Sequence, residues 1–323
     1  MEKIKKNPLI VISGPTASGK TSLSLFLARE FKNKLNRQCC VINFDSLLFY
    51  KELNIGTAKP TLDELSEIEH RLVNIRSISN PLNSFEFVSL AKEEIAKAHK
   101  MDKIVFLVGG SAFYLRALFT DMYESKTSSP EIKKKLDELL EKEGIEPFLS
   151  ILKEKDPLSY KSLHKNDHYR IYRAVEHFLS TGKTISEQRL KSEIKDPYFL
   201  NPTDIDLFHC YLNPPKDIHL KIIEDRVAKM LNDGLIDEVK NILAEGFSGE
   251  ERPLKAIGYQ EVLSFLKGNI KNLEELREKI FISTRQLAKS QRTFFKKITP
   301  KVTYDPTKGF DKILKDVESF LHQ

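Results

Sequence analysis

A turn bounded by glycines, Gly14-Pro-Thr-Ala-Ser-Gly19-Lys20-Thr21, follows a short apolar run, Leu9–Ser13, and a helical pattern over 20–31 begins at once behind it. The turn fits G-x-x-x-x-G-K-[ST] in the strand–loop–helix setting that a phosphate-binding loop requires. At average composition the pattern arises by chance roughly once per hundred chains of this size. Backbone N–H groups of such a loop and of the helix start converge on phosphate oxygens. Its glycines let the backbone approach the anion with no side chain in the way. Lys20 is placed to reach the terminal phosphate, and the Thr21 hydroxyl to ligate Mg²⁺. By motif alone, ATP is one ligand of such a loop.

That loop sets the fold class. Leu9–Ser13, Cys40–Phe44, Leu72–Ile75 and Ile104–Val108 read as buried strands. Helical patterns over 20–31, 62–70 and 86–99 lie between them. The alternation predicts an α/β fold, a P-loop NTPase-like parallel sheet flanked by helices.

From about Thr127 the pattern changes. Ile132, Leu136, Leu139 and Leu140 recur at helical spacing. Residues 167–180 put Ile171, Ala174, Val175, Phe178 and Leu179 on one face, with Asn166 or Asp167 as cap and Gly182 as stop. Thr184-Ile-Ser-Glu187 reads as a capping box. The expected organisation is a first part of the core over 1–124, an inserted all-helical domain over 125–201, and a return to the core over 202–323. Strand character resumes at Ile205–Leu212 and Val302–Tyr304.

A phosphate-binding loop names a ligand group, not a reaction. An ATP-hydrolysing enzyme ordinarily adds a strand ending in Asp. Here the strand over 104–108 runs into Gly109-Gly110-Ser111 instead. The acid is Asp45, in Val41-Ile-Asn-Phe-Asp45-Ser46, at the carboxyl end of the second strand. Ligands of open parallel sheets bind at that edge. Composition alone makes a turn or cap an equally good use of such an Asp.

Charge points to a polyanion. The chain carries a net +6, while residues 252–297 hold eleven Lys or Arg against four Glu, a local +7. That excess suits a polyanion better than a merely soluble surface, with a solvated helix face as the bland alternative. The three cysteines have no metal-binding or disulfide spacing, and no His cluster suggests a protein metal cage. The apolar stretch that ends at Ser13 is too short for a signal peptide, and no run approaches a membrane span. A cytoplasmic monomer without membrane partners is expected.

Several further segments complete a pattern: Asp45-Ser46 with Tyr50, Asn54-Ile-Gly-Thr-Ala-Lys-Pro60, His70-Arg-Leu-Val-Asn-Ile75 and Leu107-Val-Gly-Gly-Ser111 with Tyr114. They continue with Asn166-Asp167, Arg170, Arg173, Ile257-Gly-Tyr259 and Thr284-Arg-Gln-Leu-Ala-Lys289 with Gln291. Together with the loop at 14–21 they resemble the tRNA dimethylallyltransferase (tRNA isopentenyltransferase) family over about nine tenths of the chain.

The resemblance implies transfer of a dimethylallyl group from dimethylallyl diphosphate to the exocyclic N6 amine of the adenosine just 3′ of a tRNA anticodon. Diphosphate leaves. Gly14, Pro15, Thr16, Ala17, Ser18, Gly19, Lys20, Thr21 and Arg226 would bind the diphosphate, with Mg²⁺ on Thr21. Asp45 matches the catalytic aspartate, and Lys20 and Ser111 share the catalytic site. Ser111 stands where the family usually has Thr, so it keeps the hydroxyl and lacks the methyl. Asp45, Ser46, Leu47, Leu48, Arg170, Arg173, Lys255, Gly258, Tyr259, Gln260, Arg285, Gln286, Lys289 and Gln291 match tRNA-contacting positions. Tyr259, Phe294 and Phe295 interleave with basic residues in a way that suits base stacking. For the Phe294–Phe295 pair, core packing is the favoured expectation.

Two rival readings share these features. A P-loop small-molecule or nucleotide kinase would use the loop for ATP and Asp45 against a hydroxyl acceptor. An RNA-binding protein with an inactive nucleotide fold would bind anticodon stem-loops and transfer nothing.

Overall fold

A computed structural model describes residues 5–119, 129–191, 198–200 and 205–322. The chain forms two compact units, Met1–Thr120 with Tyr198–Gln323, and Asp121–Pro197. The sequence-based boundaries for the second unit were 125 and 201.

The first unit begins with β1 (Pro8–Ser13), α1 (Lys20–Leu35), β2 (Cys39–Asn43), α2 (Leu62–Glu67), β3 (Glu69–Arg71), α3 (Ser84–Lys100), β4 (Ile104–Gly109) and α4 (Ala112–Phe119). The second unit holds α5 (Pro130–Glu143), α6 (Glu146–Lys155), α7 (Pro157–Ser162), α8 (His168–Thr181) and α9 (Ile185–Lys191). The first then resumes with β5 (Asp206–Leu212), α10 (Lys216–Asn232), α11 (Leu235–Ala244), α12 (Tyr259–Leu266), α13 (Leu273–Phe295), β6 (Val302–Tyr304) and α14 (Asp311–His322).

The strands form one sheet in the order β3-β2-β4-β1-β5-β6, and every neighbouring pair is parallel. Such a sheet is buried on both faces, and β1 shows why its sequence is an unbroken apolar run. Leu9 and Val11 pack with Phe87, Ala91 and Ile95 of α3 and Leu115 of α4. Ile10 and Ile12 pack on the opposite face with Leu23, Leu27 and Phe31 of α1 and Val317 and Leu321 of α14. Full burial of each such side chain contributes about 1.5–3 kcal/mol. A third core lies among α10, α11, α12 and α13, where Val227, Val239, Tyr259 and Ile280 meet.

One strand departs from expectation. The predicted strand over 72–75 and the helix over 62–70 are replaced by α2 and β3, with Glu69, His70 and Arg71 opposite Cys40, Val41 and Ile42. Leu72 and Asn74 take left-handed φ values of 58° and 57°, which no strand accommodates. β3 is an edge strand held by charge. Arg71 pairs with Glu69 at 2.7 Å and Glu94 at 3.1 Å, and Lys103 pairs with Glu69. It therefore lacks the apolar signature that β1 carries.

In the helical unit, Asp167 caps α8 by accepting the Arg170 N–H at 3.2 Å, and Gly182 ends it with φ 70°. Ile171, Ala174 and Val175 pack against Leu136, Phe148 and Leu152. Leu179, expected on that face, is exposed in the last turn. Thr184 and Glu187 form the reciprocal capping box, at 2.8 and 3.1 Å. Among the described residues, no helix is long and apolar enough to cross a membrane.

Candidate active site

Three strand ends share one edge of the sheet. β1 runs into residues 14–19, β2 into Phe44-Asp45, and β4 into Gly110-Ser111. β1 and β4 are neighbours, yet the chain leaves them for β2 on one side and β5 on the other. That reversal opens a crevice at the carboxyl edge.

The loop after β1 is folded as a phosphate cradle. Gly19 caps α1 with φ 85°, and Ala17 is left-handed with φ 60°. The Lys20 ammonium lies back over the loop, donating to the carbonyls of Gly14 at 3.2 Å and Pro15 at 2.9 Å. Burial pulls its pKa down to about 8, with Asp45 opposing the shift and Arg226 adding to it. Ser18 Oγ is buried without a partner inside the turn. The Thr21 hydroxyl makes no hydrogen bond among the described residues, so its oxygen remains available as a hard donor.

Thr16 is held from both sides. Its N–H donates to Gln291 Oε1 at 2.8 Å, and its carbonyl meets His219 Nε2 at 2.8 Å. The Gln291 amide also donates to the Gly110 carbonyl at 3.0 Å. His219 is buried, and burial together with the nearby Arg292 and Lys20 charges lowers its pKa, while the carbonyl opposite makes Nε2 the donating ring nitrogen.

Asp45 faces this loop. Asn43 fixes the turn that carries it, accepting the Asp45 N–H at 2.8 Å and donating to the Asp45 and Leu72 carbonyls at 3.1 and 3.0 Å. One carboxylate oxygen takes the Leu47 N–H at 3.2 Å. β4 must end in glycine because a Cβ at Gly109 would stand 2.7 Å from the Phe44 backbone and 2.8 Å from the Asp45 nitrogen. Arg226 of α10 donates to the Thr57 carbonyl at 3.2 Å. Burial lowers its pKa, opposed by the Asp45 charge.

These groups share a cavity of about 450 Å³. Thr16, Asp45, Ser111, Arg226 and Gln291 supply its polar lining, and Leu47, Val227, Met230, Ile257 and Ile280 its apolar wall. Ser46, Thr57, Lys255 and Phe294 also reach it. The apolar wall was not read from the sequence. A signal existed in part, because Met230 stands one helical turn from Arg226 on α10.

Two of the expected RNA contacts are buried. Tyr259 is fully buried in the α10–α13 core, its hydroxyl donating to Glu238 at 2.7 Å, so its ring offers no stacking face. Gly258 is buried, with its N–H committed to Glu261 at 2.7 Å. Phe295 is likewise core, at 5.4 Å from the Tyr211 ring, whereas Phe294 is only partly buried. The Leu48 carbonyl accepts the Asn74 N–H at 3.1 Å, outside the cavity lining.

Lys255, Gln260, Arg285, Gln286 and Lys289 are exposed. Gln286 and Lys289 line a shallower cavity of about 380 Å³ that shares Ser290 and Phe294 with the first. Arg170 and Arg173 lie in the separate helical unit, on one exposed stretch of α8, paired with Asp167 at 3.0 Å and with Glu176.

The IPP transferase family model matches residues 48–298. A tRNA dimethylallyltransferase 2 of Geotalea daltonii is 34% identical over 296 residues, covering 92% of this chain and 86% of that one. The solved full-length tRNA isopentenylpyrophosphate transferase of Bacillus halodurans is 28% identical with a TM-score of 0.67, over 98% of this chain and 97% of that one. A solved eukaryotic dimethylallyltransferase acting on tRNA is 27% identical with a TM-score of 0.78, over 97% of this chain and 77% of that one. With Thr16 of the phosphate-binding loop, the Asp45 carboxylate, Arg226 and an apolar wall lining one cavity of a P-loop NTPase-like sheet, the chain belongs to the tRNA dimethylallyltransferase family.

Proposed function

We propose that the cavity holds dimethylallyl diphosphate and delivers its allylic carbon to the N6 amine of the adenosine just 3′ of a tRNA anticodon. The observation that carries this reading is one cavity whose lining joins cationic Arg226 and Thr16 of the phosphate-binding loop to an apolar wall. A diphosphate suits the first and a short hydrocarbon the second.

The chemistry follows from the lining. As the carbon–oxygen bond breaks, negative charge grows on the departing diphosphate. Lys20, Arg226 and the loop N–H groups would stabilise it. Adenine's amine is a weak nucleophile whose proton becomes acidic only as nitrogen attacks carbon. The Asp45 carboxylate accepts that proton. The Ser111 hydroxyl, at the start of α4, contacts a phosphate oxygen. Among the described residues, no three His, Cys, Asp or Glu side chains are grouped as metal ligands. The unbonded Thr21 hydroxyl would hold Mg²⁺ brought in with the diphosphate. When bound, that ion neutralises part of the diphosphate charge.

The RNA side uses exposed residues. Ser46 and Leu47 reach the cavity, while Lys255, Gln260, Arg285, Gln286, Lys289, Arg170 and Arg173 offer polar and cationic contacts. The target base must leave its stack to enter, and a single-stranded loop is where such a base can be read. We place the reaction in the cytoplasm, carried out by a monomer. Cys39, Cys40 and Cys210 are free and buried, which fits a reducing compartment.

Incubation with labelled dimethylallyl diphosphate and unmodified tRNA, followed by nucleoside analysis, tests this directly. Label on adenosine with release of diphosphate supports it. Magnesium-dependent loss of the ATP γ-phosphate without transfer would favour the kinase alternative, for which the comparisons give no support. Binding of anticodon stem-loops with no transfer at all would favour the inactive RNA-binding protein.

A further inference from the structure

The motif Asn54–Pro60 and the buried Tyr259 take no part in the chemistry above, and Glu238 of α11 joins them. Its carboxylate accepts the backbone N–H groups of Asn54 at 3.1 Å, Ile55 at 2.8 Å and Gly56 at 3.3 Å. It also accepts the Tyr259 hydroxyl at 2.7 Å. Four donors on one carboxylate make a rigid junction, since hydrogen bonds to an ionised acceptor are the strong ones. The loop lies directly on the Tyr259 ring. A Cβ at Gly56 would stand 2.5 Å from two ring carbons, so glycine is required there.

The next residue carries the consequence. The Thr57 carbonyl accepts Arg226 Nη2 at 3.2 Å, the one protein hydrogen bond recorded for that guanidinium among the described residues. The Thr57 hydroxyl folds back onto the Leu53 and Asn54 carbonyls at 3.1 and 3.0 Å. Lys59 closes the same loop, donating to the Tyr50 carbonyl at 2.7 Å and the Asn54 side chain at 2.9 Å. Arg226 thus keeps most of its donors for a ligand while its aim depends on a single carbonyl.

We propose that Glu238 and Tyr259 are positioning residues for the diphosphate. They fix the loop whose Thr57 carbonyl holds Arg226 toward the phosphate end of the cavity. The inference rests on reading Arg226 as a diphosphate ligand.

Tyr259→Phe removes the hydroxyl and leaves the ring beneath Gly56, so the core packing survives. With inorganic pyrophosphate as probe, its affinity should fall roughly three- to tenfold, the range of one hydrogen bond. The KM for dimethylallyl diphosphate should rise in step while the KM for tRNA stays unchanged. Glu238→Gln, which keeps the shape and removes the charge, should weaken pyrophosphate binding at least as much. In an Arg226→Ala background, Tyr259→Phe should add nothing further. Unchanged pyrophosphate affinity in Tyr259→Phe, beside a clear loss in Arg226→Ala, overturns the positioning role and keeps the Arg226 reading. Unchanged affinity in Arg226→Ala removes that reading itself. Equal losses toward tRNA and pyrophosphate together with a lowered Tm would show a merely structural role and would also overturn the proposal.

Discussion

The Gln291 carboxamide spans Thr16 and Gly110, accepting the Thr16 N–H at 2.8 Å and donating to the Gly110 carbonyl at 3.0 Å. One side chain of α13 therefore ties the loop after β1 to the loop after β4. His219 holds the other side of the Thr16 peptide, with its Nε2 2.8 Å from the carbonyl. Between these supports and α1 lies Ala17, left-handed at φ 60°. A non-glycine residue there costs about 1–2 kcal/mol, which persists only where the surroundings over-determine it.

Gln291→Ala should therefore loosen the cradle. The KM for dimethylallyl diphosphate should rise about tenfold, the equivalent of one well-made hydrogen bond lost in a partly buried site. Gln291→Glu keeps the acceptor for Thr16, loses the donor to Gly110, and adds a negative charge beside the diphosphate. It should be the more damaging of the two. Steady-state kinetics with the diphosphate varied at saturating tRNA checks both, and a change confined to the tRNA KM would refute the assignment.

The sheet and the cradle were legible in the sequence because their signals are local. β1 is buried on both faces, so its run is unbroken, and the loop behind it must carry glycines and Lys20 at fixed spacing. What the sequence hid is long-range. Tyr259 looks like a stacking residue beside Lys255 until the fold shows it in a core with Glu238 beneath the Gly56 loop. β3 was missed because its residues pair by charge and carry no apolar period. The cavity wall draws on α10, α13 and the segment before α12, so no single window of sequence contains it.

Asp45 is fixed by Asn43 and lines the same cavity as Thr16 of the cradle. Its role as proton acceptor should show as a loss of turnover. Asp45→Asn keeps the size and much of the turn while removing the basic oxygen. We expect kcat to fall by about 10²–10⁴-fold, the usual worth of a general base. Dissociation constants for tRNA and pyrophosphate should change little. A filter-binding assay beside single-turnover kinetics separates the two, and a matching loss of tRNA affinity would recast Asp45 as an RNA contact.

Arg285 and Lys289 lie exposed on α13, and neither makes an ion pair among the described residues. Each should neutralise an RNA phosphate when tRNA docks. Arg285→Ala and Lys289→Ala should weaken tRNA binding across all tRNA sequences. Each should also lower the slope of log affinity against log salt by about 1. Fluorescence titrations across a salt series read that slope directly. A slope equal to the unmodified chain's would remove these residues from the interface. Turnover at saturating tRNA should be preserved, because neither lines the reaction cavity.

Lys20 supplies a pH test whose sign is fixed by its surroundings. Burial draws its pKa down from 10.5 to about 8 in the ligand-free chain. The diphosphate needs the ammonium, so below about pH 8 the group is already charged and binding takes up no proton on its account. Above that value the free chain holds a neutral amine, and each ligand bound must bring a proton with it. Affinity should then fall by up to about tenfold per pH unit between roughly 8 and the higher pKa of the bound state. Lys20→Arg keeps a charge at every pH in this range. The difference between the two chains cancels the ligand's own ionisation. Titration calorimetry in buffers of different ionisation enthalpy should detect proton uptake near pH 9 in the native chain and less in Lys20→Arg. If the two pH profiles run parallel, Lys20 is not the group that titrates, and its contact with the diphosphate loses its support.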